Sequence, residues 1–489
     1  MVRCMLAFAS VWCAWLTLAP AAPAAQLYVG AAAVDITPEL PVAVSGQFPL
    51  RIARQVETPL TAQVAALESR EGERSTEVAI MVSCDLLYIP DDLSALVRKQ
   101  VATRVPGLDA GKIFLNGTHT HTAPVLLSDK YPIPAEGVTQ VDAYREFFAA
   151  RVADAIAQAW QGRDRGSVAW GLGHAAVAQN RRAVYADGSA QMYGRTDLPE
   201  FRGLEGYEDH DVGTLFFFNA ESRLVAVAVG VACPSQEVES RSTVNADFWH
   251  AVRQQLHDRY GEDLCVLAWC TAAGDQSPHL MYRRAAEERM RQLRGLTREQ
   301  EIARRIVRAV DDVYPVVKND RHDDVTLHHV VQPIRLPMRR VTEAEYAEAK
   351  AACQRADAAM AADPKAAAGE FRRKKWYEET VQRYQRQQTD PNPELPMEMH
   401  VVRIGDVAIC TNPFELFTDF GIRIQARSKA LQTFVVQLTG VGGYVPTEKA
   451  VRGGHYSAVV HSNLVGPEGG QVLVDQAVEQ INRLFSEAR

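Results

Sequence analysis

The chain predicts a layered α/β domain on a mixed β-sheet, with its chemistry at the carboxyl ends of the strands and a helical insertion at about 341–390. Short apolar runs bounded by polar turns alternate with apolar residues at helical spacing, the rhythm of strands and crossover helices. Each polar cluster able to do chemistry comes directly after such a run, where open α/β sheets place ligands. One long stretch, Thr342 to Gln388, is rich in Ala, Glu, Lys and Arg and has no strand pattern.

The elements follow in order. Arg3, the apolar stretch Met5 to Leu18 and the small-residue run Ala19 to Ala25 read as a signal peptide over 1–24, cleaved after Ala24. The protein is therefore expected to be exported, to the periplasm or outside the cell. Nothing later approaches the twenty or so uninterrupted apolar residues of a membrane span, so no stable span is expected after cleavage. A strand is expected at Val78 to Val82, a helix where Leu93, Leu96, Val97 and Val101 repeat, and a buried strand at Ile113 to Leu115. Tyr144 to Trp160 and Gln471 to Phe485 read as helices. Further strands are expected at Ser167 to Trp170, Leu215 to Phe218, Leu224 to Val231, Leu264 to Ala268, Val401 to Ile404, Val407 to Cys410 and Phe434 to Leu438. Arg283 to Val313 and Thr342 to Gln388 are charged enough to be long solvated helices, the second a helical hairpin set between the halves of one domain spanning 25–489. No internal repeat is visible.

The charge balance narrows the partners. Fifty-three basic against 60 acidic residues give a net charge of −7 with the signs scattered, which leaves no basic field for a phosphate backbone and excludes nucleic acid. A small lipid-like or glycan-like molecule fits better. Past the signal segment stand Cys84, Cys233, Cys265, Cys270, Cys353 and Cys410, an even count that would permit disulfides but whose spacing specifies no pairing. Most lie in apolar strand-like runs and read as buried thiols.

Four constellations could carry chemistry. Gly117-Thr118-His119-Thr120-His121-Thr122-Ala123-Pro124 follows a strand; in extended backbone His119 and His121 would face the same side, able to share one metal or to divide into ligand and acid/base. Gly274-Asp275-Gln276-Ser277-Pro278-His279 is a tight turn that could present the Ser277 hydroxyl to a reacting oxygen. Cys233-Pro234-Ser235-Gln236 ends another strand, with Asp247 and His250 further on, so thiolate, carboxylate and imidazole are close in sequence and available to a metal. Last come Pro413-Phe414-Glu415, the glycine-rich turn reaching Tyr444, and Gly453-Gly454-His455-Tyr456.

Taken together, Gly30 through Asp35-Ile36-Thr37-Pro38, the His119-Thr120-His121 segment, Ala273 to Pro278, Pro413 to Glu415 and Tyr444-Val445-Pro446-Thr447 resemble the catalytic domain of the neutral/alkaline, non-lysosomal ceramidases, in order and across nearly the whole mature chain. The resemblance implies a zinc-dependent amidohydrolase. His119, Glu415 and Tyr444 would ligate the metal, His121 would face the scissile carbonyl, Ser277 would line the site as nucleophile or oxyanion donor, and Tyr456 would hold the developing oxyanion. The remaining ligand in that family is a histidine, and Cys233 stands in its place here. Cys233 as thiolate, Gln236 or His250 could complete the site. The chain leaves no room for the β-sandwich those enzymes append, and the insertion is expected to reshape the pocket mouth. An esterase or glycan-directed hydrolase on the same fold, or a metal-free binding protein, are the other readings.

Overall fold

Three similar β-β-β-α-β units build the molecule. In this computed structural model, which describes residues 25–363 and 367–486, the first unit runs through β1 (Gln26–Asp35), β2 (Thr61–Glu71), β3 (Arg74–Cys84), α1 (Asp91–Arg104) and β4 (Ile113–Gly117). Strands β1, β2 and β3 pair antiparallel in sequence order, and the crossover helix α1 returns β4 parallel to β3. The second unit repeats this with β5 (Ser167–His174), β6 (Asp211–Phe218), β7 (Leu224–Val231), the helix α3 and β8 (Cys265–Cys270), where β7 and β8 are parallel; α2 (Val141–Gln161) precedes this unit and α3 spans Phe248–Tyr260. After α4 (Arg298–Val317), the third unit has β9 (Leu327–Pro337), β10 (Glu394–Ile404) and β11 (Val407–Thr411). The helical hairpin α5 (Glu343–Ala362) and α6 (Ala367–Arg386) is inserted between β9 and β10. Helix α7 (Thr418–Arg427) then leads to β12 (Gln432–Val436), parallel to β11, and α8 (Pro467–Leu484) closes the chain. The expected signal segment lies outside the described residues, and among the described residues no helix is long and apolar enough to cross a membrane.

The alternation of each strand decides what packs where. One face of every sheet joins a shared centre: Leu67 and Met81 of the first, Phe217, Leu267 and Trp269 of the second, Ile404, Ile409 and Phe434 of the third lie in one buried cluster. The other face of each sheet packs on its own helices. Val64 and Val82 meet Val97 of α1 and Phe148 of α2; Phe216 and Val229 meet Val252 of α3 and Ile306 of α4; Val401 and Cys410 meet Phe420 of α7 and Leu473 of α8. The charged stretch after Arg283 thus divides. Arg284–Leu293 buries none of its side chains, whereas α4 turns Ile302, Ile306, Val307, Val310 and Val313 into the core and is not the fully solvated helix its composition suggests. All six described cysteines are free thiols.

The hairpin begins with a capping box, in which the Thr342 hydroxyl accepts from the Glu345 N–H and the Glu345 carboxylate accepts from the Thr342 N–H. Only Ala349, Ala352 and Ala356 of α5 are buried, a stripe of small residues that lets α6 lie close. The Arg383 guanidinium donates to the carbonyls of Val460 (2.9 Å) and Arg339 (2.7 Å), tying α6 down beside the segment that carries Tyr456.

Candidate active site

The three parallel strand pairs end at one place, and their following loops interlock there. The Gly117 N–H donates to the carbonyl of Leu438 beyond β12, Ser235 N–H to that of Thr118, and Gly274 N–H to that of Leu416. Gly274 has to be glycine: a Cβ there would stand 2.2 Å from the Glu415 carbonyl oxygen.

His119 does not continue the strand. Its φ of 71° puts it in the left-handed region, held by its N–H to Leu86 O (3.0 Å) and its Nδ1 to Leu87 O (3.0 Å). The two imidazoles meet at 5.0 Å between centroids because of this kink and not through extended alternation. His119 Nε2 then faces Glu415 Oε2 at 3.2 Å. Burial disfavours the Glu415 carboxylate, yet the His119 imidazole, the Arg181 guanidinium and the Tyr444 hydroxyl together hold its pKa below the ordinary value. Burial also pushes the Tyr444 phenol well above its usual range and that of Tyr456 up to about 12. Their rings meet edge to face at 5.7 Å between centroids, and both line the cavity with His119, His121 and Glu415.

His121 is fixed on every side. The Gln236 amide donates to its Nε2 (2.9 Å), and its Nδ1 stands 3.3 Å from Glu239 Oε2 without hydrogen-bond geometry. Arg51 donates to its carbonyl (2.6 Å). Gly46, at φ 96°, lies so close that a Cβ would meet His121 Cγ at 2.3 Å. Burial and the neighbouring His119 lower the His121 pKa to about 3, so the ring is neutral across the physiological range.

Behind these groups lies a second layer that sequence reasoning missed. Arg181, 1% exposed on its side chain, donates to Gln236 Oε1 (3.1 Å), Gly274 O (2.9 Å), Tyr444 Oη (3.2 Å) and Tyr193 Oη (3.3 Å), and sits 3.9 Å from Glu415 Oε2. Glu239 also takes the His279 Nε2 at 3.2 Å. Burial opposes its charge, but the His279 hydrogen bond and the nearby imidazoles hold its pKa down to about 2. In the sequence these were an arginine in a polar loop and a surface-like carboxylate; only the close-packed loops reveal their role.

Two expected residues fall elsewhere. The Cys233 side chain is 0% exposed and turned into the apolar cluster with Val177, Val231 and Trp249, its Sγ 3.8 Å from the carbonyls of Val177 and Pro234. Cys233 does not line the cavity that holds His119, His121, Glu415 and Tyr444, so the expectation of a thiolate ligand is not met by this geometry. His250 lies on α3, half-buried and outside the cavity; of the three alternatives, Gln236 alone touches an active-site imidazole. Ser277 is buried, bonded to Tyr193 Oη (3.0 Å) and accepting from the His279 N–H (3.1 Å), and Tyr193 in turn accepts from Arg181; among the described residues no imidazole nitrogen hydrogen-bonds its hydroxyl.

The donors that remain for a metal are His119, Glu415 and Tyr444. Among the described residues no three His, Cys, Asp or Glu side chains are placed to hold a metal, so the third donor would be the Tyr444 phenol. The His119–Glu415 separation of 3.2 Å matches two donors on one tetrahedral ion with bonds of about 2.0–2.1 Å. The Nδ1 contact to Leu87 O leaves Nε2 as the free lone pair, the way metal-binding histidines are oriented.

No protein-family model matches the chain, and no curated protein matches it. Its fold is similar to that of neutral ceramidase from Pseudomonas aeruginosa, at 16% identity and a TM-score of 0.67 over 94% of this chain and 75% of that one. A ceramidase complexed with C2 is similar at 14% identity and a TM-score of 0.63, over 94% and 76%.

Proposed function

We propose that this chain, which has the fold of a neutral ceramidase, is an exported zinc-dependent hydrolase that cleaves an amide (N-acyl) bond with water. The supporting observation is the meeting of His119, Glu415 and Tyr444 at one point of a cavity whose rim carries His121 and Tyr456. His119, Glu415 and Tyr444 would hold the zinc, which when bound supplies Lewis acidity and a water activated near neutral pH. Arg181 fixes Tyr444 and Gln236 and shares the charge of Glu415. The neutral His121 ring offers Nε2 to the reacting group once the substrate displaces the Gln236 amide. Tyr456, protonated throughout the working range, donates to the oxygen on which charge develops. In the balanced reaction the acyl carbon gains the hydroxyl of water, the C–N bond breaks, and the nitrogen leaves with the proton.

The test is paired. His119→Ala is expected to lose bound metal and turnover together, while His121→Ala keeps the metal and loses about 10²–10⁴ in kcat. Full metal in the first variant overturns the assignment. A metal-free binding protein is the competing reading, because among the described residues no three conventional metal-binding side chains are grouped, and no zinc in the wild type after loading would favour it over the hydrolase.

A further inference from the structure

The inserted hairpin brings to the cavity one positive charge that, among the described residues, no carboxylate answers. Arg372 of α6 lines the same cavity as His119, His121, Glu415 and Tyr444, a space of about 120 Å³ adjoining a second of about 160 Å³ walled by Trp376, His461 and Phe48. Its Nη1 is buried without a hydrogen-bond partner. Among the described residues no carboxylate lies within ion-pairing distance of it; its partners are the Tyr131 hydroxyl, with which it shares a side-chain hydrogen bond, and the Phe48 ring, 6.0 Å from the guanidinium carbon. The other cations around the cavity are answered: Lys130 by Glu379, Arg51 by the carbonyls of Glu239, Arg241, Ser45 and His121, and Arg383 by those of Val460 and Arg339. A guanidinium N–H withdrawn from water and unpaired is costly, so its position is explained if a ligand supplies the acceptor.

We infer that Arg372 binds a carboxylate on the substrate, and that the substrate class is a compact N-acylated amino acid, whose carboxylate lies close to the amide to be cleaved. This rests on the hydrolase reading for the choice of bond, but the anion subsite stands on the cavity alone. A planar fork matches a carboxylate through two parallel hydrogen bonds, which a neutral lipid headgroup does not offer. The two adjoining spaces, about 120 and 160 Å³, share Arg372, Glu415 and Tyr444, so a carboxylate held by Arg372 would lie close to an amide placed at the catalytic groups.

The experiment compares wild type, Arg372→Gln and Arg372→Lys on N-acetyl amino acids and on the matched amides lacking the carboxylate. Arg372→Gln is expected to raise KM for the acids about thirtyfold more than for the neutral amides, with Arg372→Lys intermediate. Equal losses on both substrate sets overturn the proposal, because they mark a purely structural role for the hairpin. Calorimetric titration of N-acetyl amino acid into chelator-treated protein separates this from the hydrolase reading. Binding at least tenfold tighter to wild type than to Arg372→Gln supports the subsite even when no bond is cleaved, and equal binding overturns it.

Discussion

Glu237 offers a sharp test of the electrostatics around the site. Its side chain is 14% exposed, its Oε2 has no hydrogen-bond partner, and the nearest cations are Arg298 Nε at 3.6 Å and His279 Nδ1 at 4.0 Å. Burial raises its pKa from the ordinary 4.5 to about 7, only partly offset by Arg298 and His279, with Asp247 and Glu299 adding repulsion. A carboxyl whose folded-state pKa is raised contributes stability that is full below the unfolded value and lost as pH rises through the folded one, so the window is pH 4.5 to 7. At about 1.4 kcal/mol for each pH unit, the loss reaches about 3 kcal/mol at pH 8 and stays under about 1 kcal/mol at pH 5. Glu237→Gln removes the titration while leaving a polar amide in place at about 1 kcal/mol. The variant is therefore expected to be about 2 kcal/mol more stable than wild type at pH 8 and level with it or slightly weaker at pH 5, as measured by urea unfolding at both values. An advantage independent of pH, or one larger in acid, would refute the assignment of a raised pKa to this carboxyl.

Three further outcomes follow from the site. Glu239→Gln removes the charge facing His121 Nδ1 and His279 Nε2, and kcat is expected to fall about 10–100-fold with KM and zinc content unchanged; an unaltered kcat would show that His121 is positioned without it. Gly46→Ala drives a methyl against the His121 ring at a left-handed residue, costing about 1–3 kcal/mol in thermal or urea unfolding together with turnover, and an active, fully stable variant would contradict the packing. Cys233→Ala is expected to keep about one zinc per chain and lose only about 1 kcal/mol of core packing; loss of the metal would reinstate the thiolate as ligand.

The sequence made the strands and most helices legible because each carries its own period, and it placed the candidate residues together because their polar clusters follow strands. The threefold arrangement was hidden. The units share a hydrogen-bonding order, while Ile113–Gly117, Cys265–Cys270 and Gln432–Val436 share no residue pattern beyond apolar character. Backbone register likewise placed Cys233 at the right point of the chain but said nothing about where its sulfur turns, and the neighbouring apolar cluster decided that. Arg181 and Glu239 were illegible for another reason: a charged residue reads as solvated until the elements burying it are known, and here they come from all three units. The hairpin was recognised by composition, but its contribution to the cavity depends on Arg383 and Gln387 fixing its register against Val460 and Val341.

The units also explain where backbone strain is kept. Of the eight described non-glycine residues with positive φ, His119, Tyr193, Asp247, Leu438, His455 and Ser457 lie in segments that build the site, leaving only Ser222 and Arg283 elsewhere. Each such residue costs on the order of 1–3 kcal/mol and persists only where its surroundings over-determine it. His119 is held through Leu86 and Leu87 beyond β3, and Asp247 accepts from the Val238 N–H beside Glu239. Leu438 accepts from Gly117 of the first unit. Each of these three strained residues is thus pinned by a strand end or loop, and two of the pins cross between chain segments distant in sequence. The geometry of His119 against Glu415 is therefore paid for by the packing of all three sheets around their common core. Large-to-small changes in that core, at Phe217 or Trp269, should loosen the site before they unfold the chain, because the strained loops are the first elements to relax when their frame gives way.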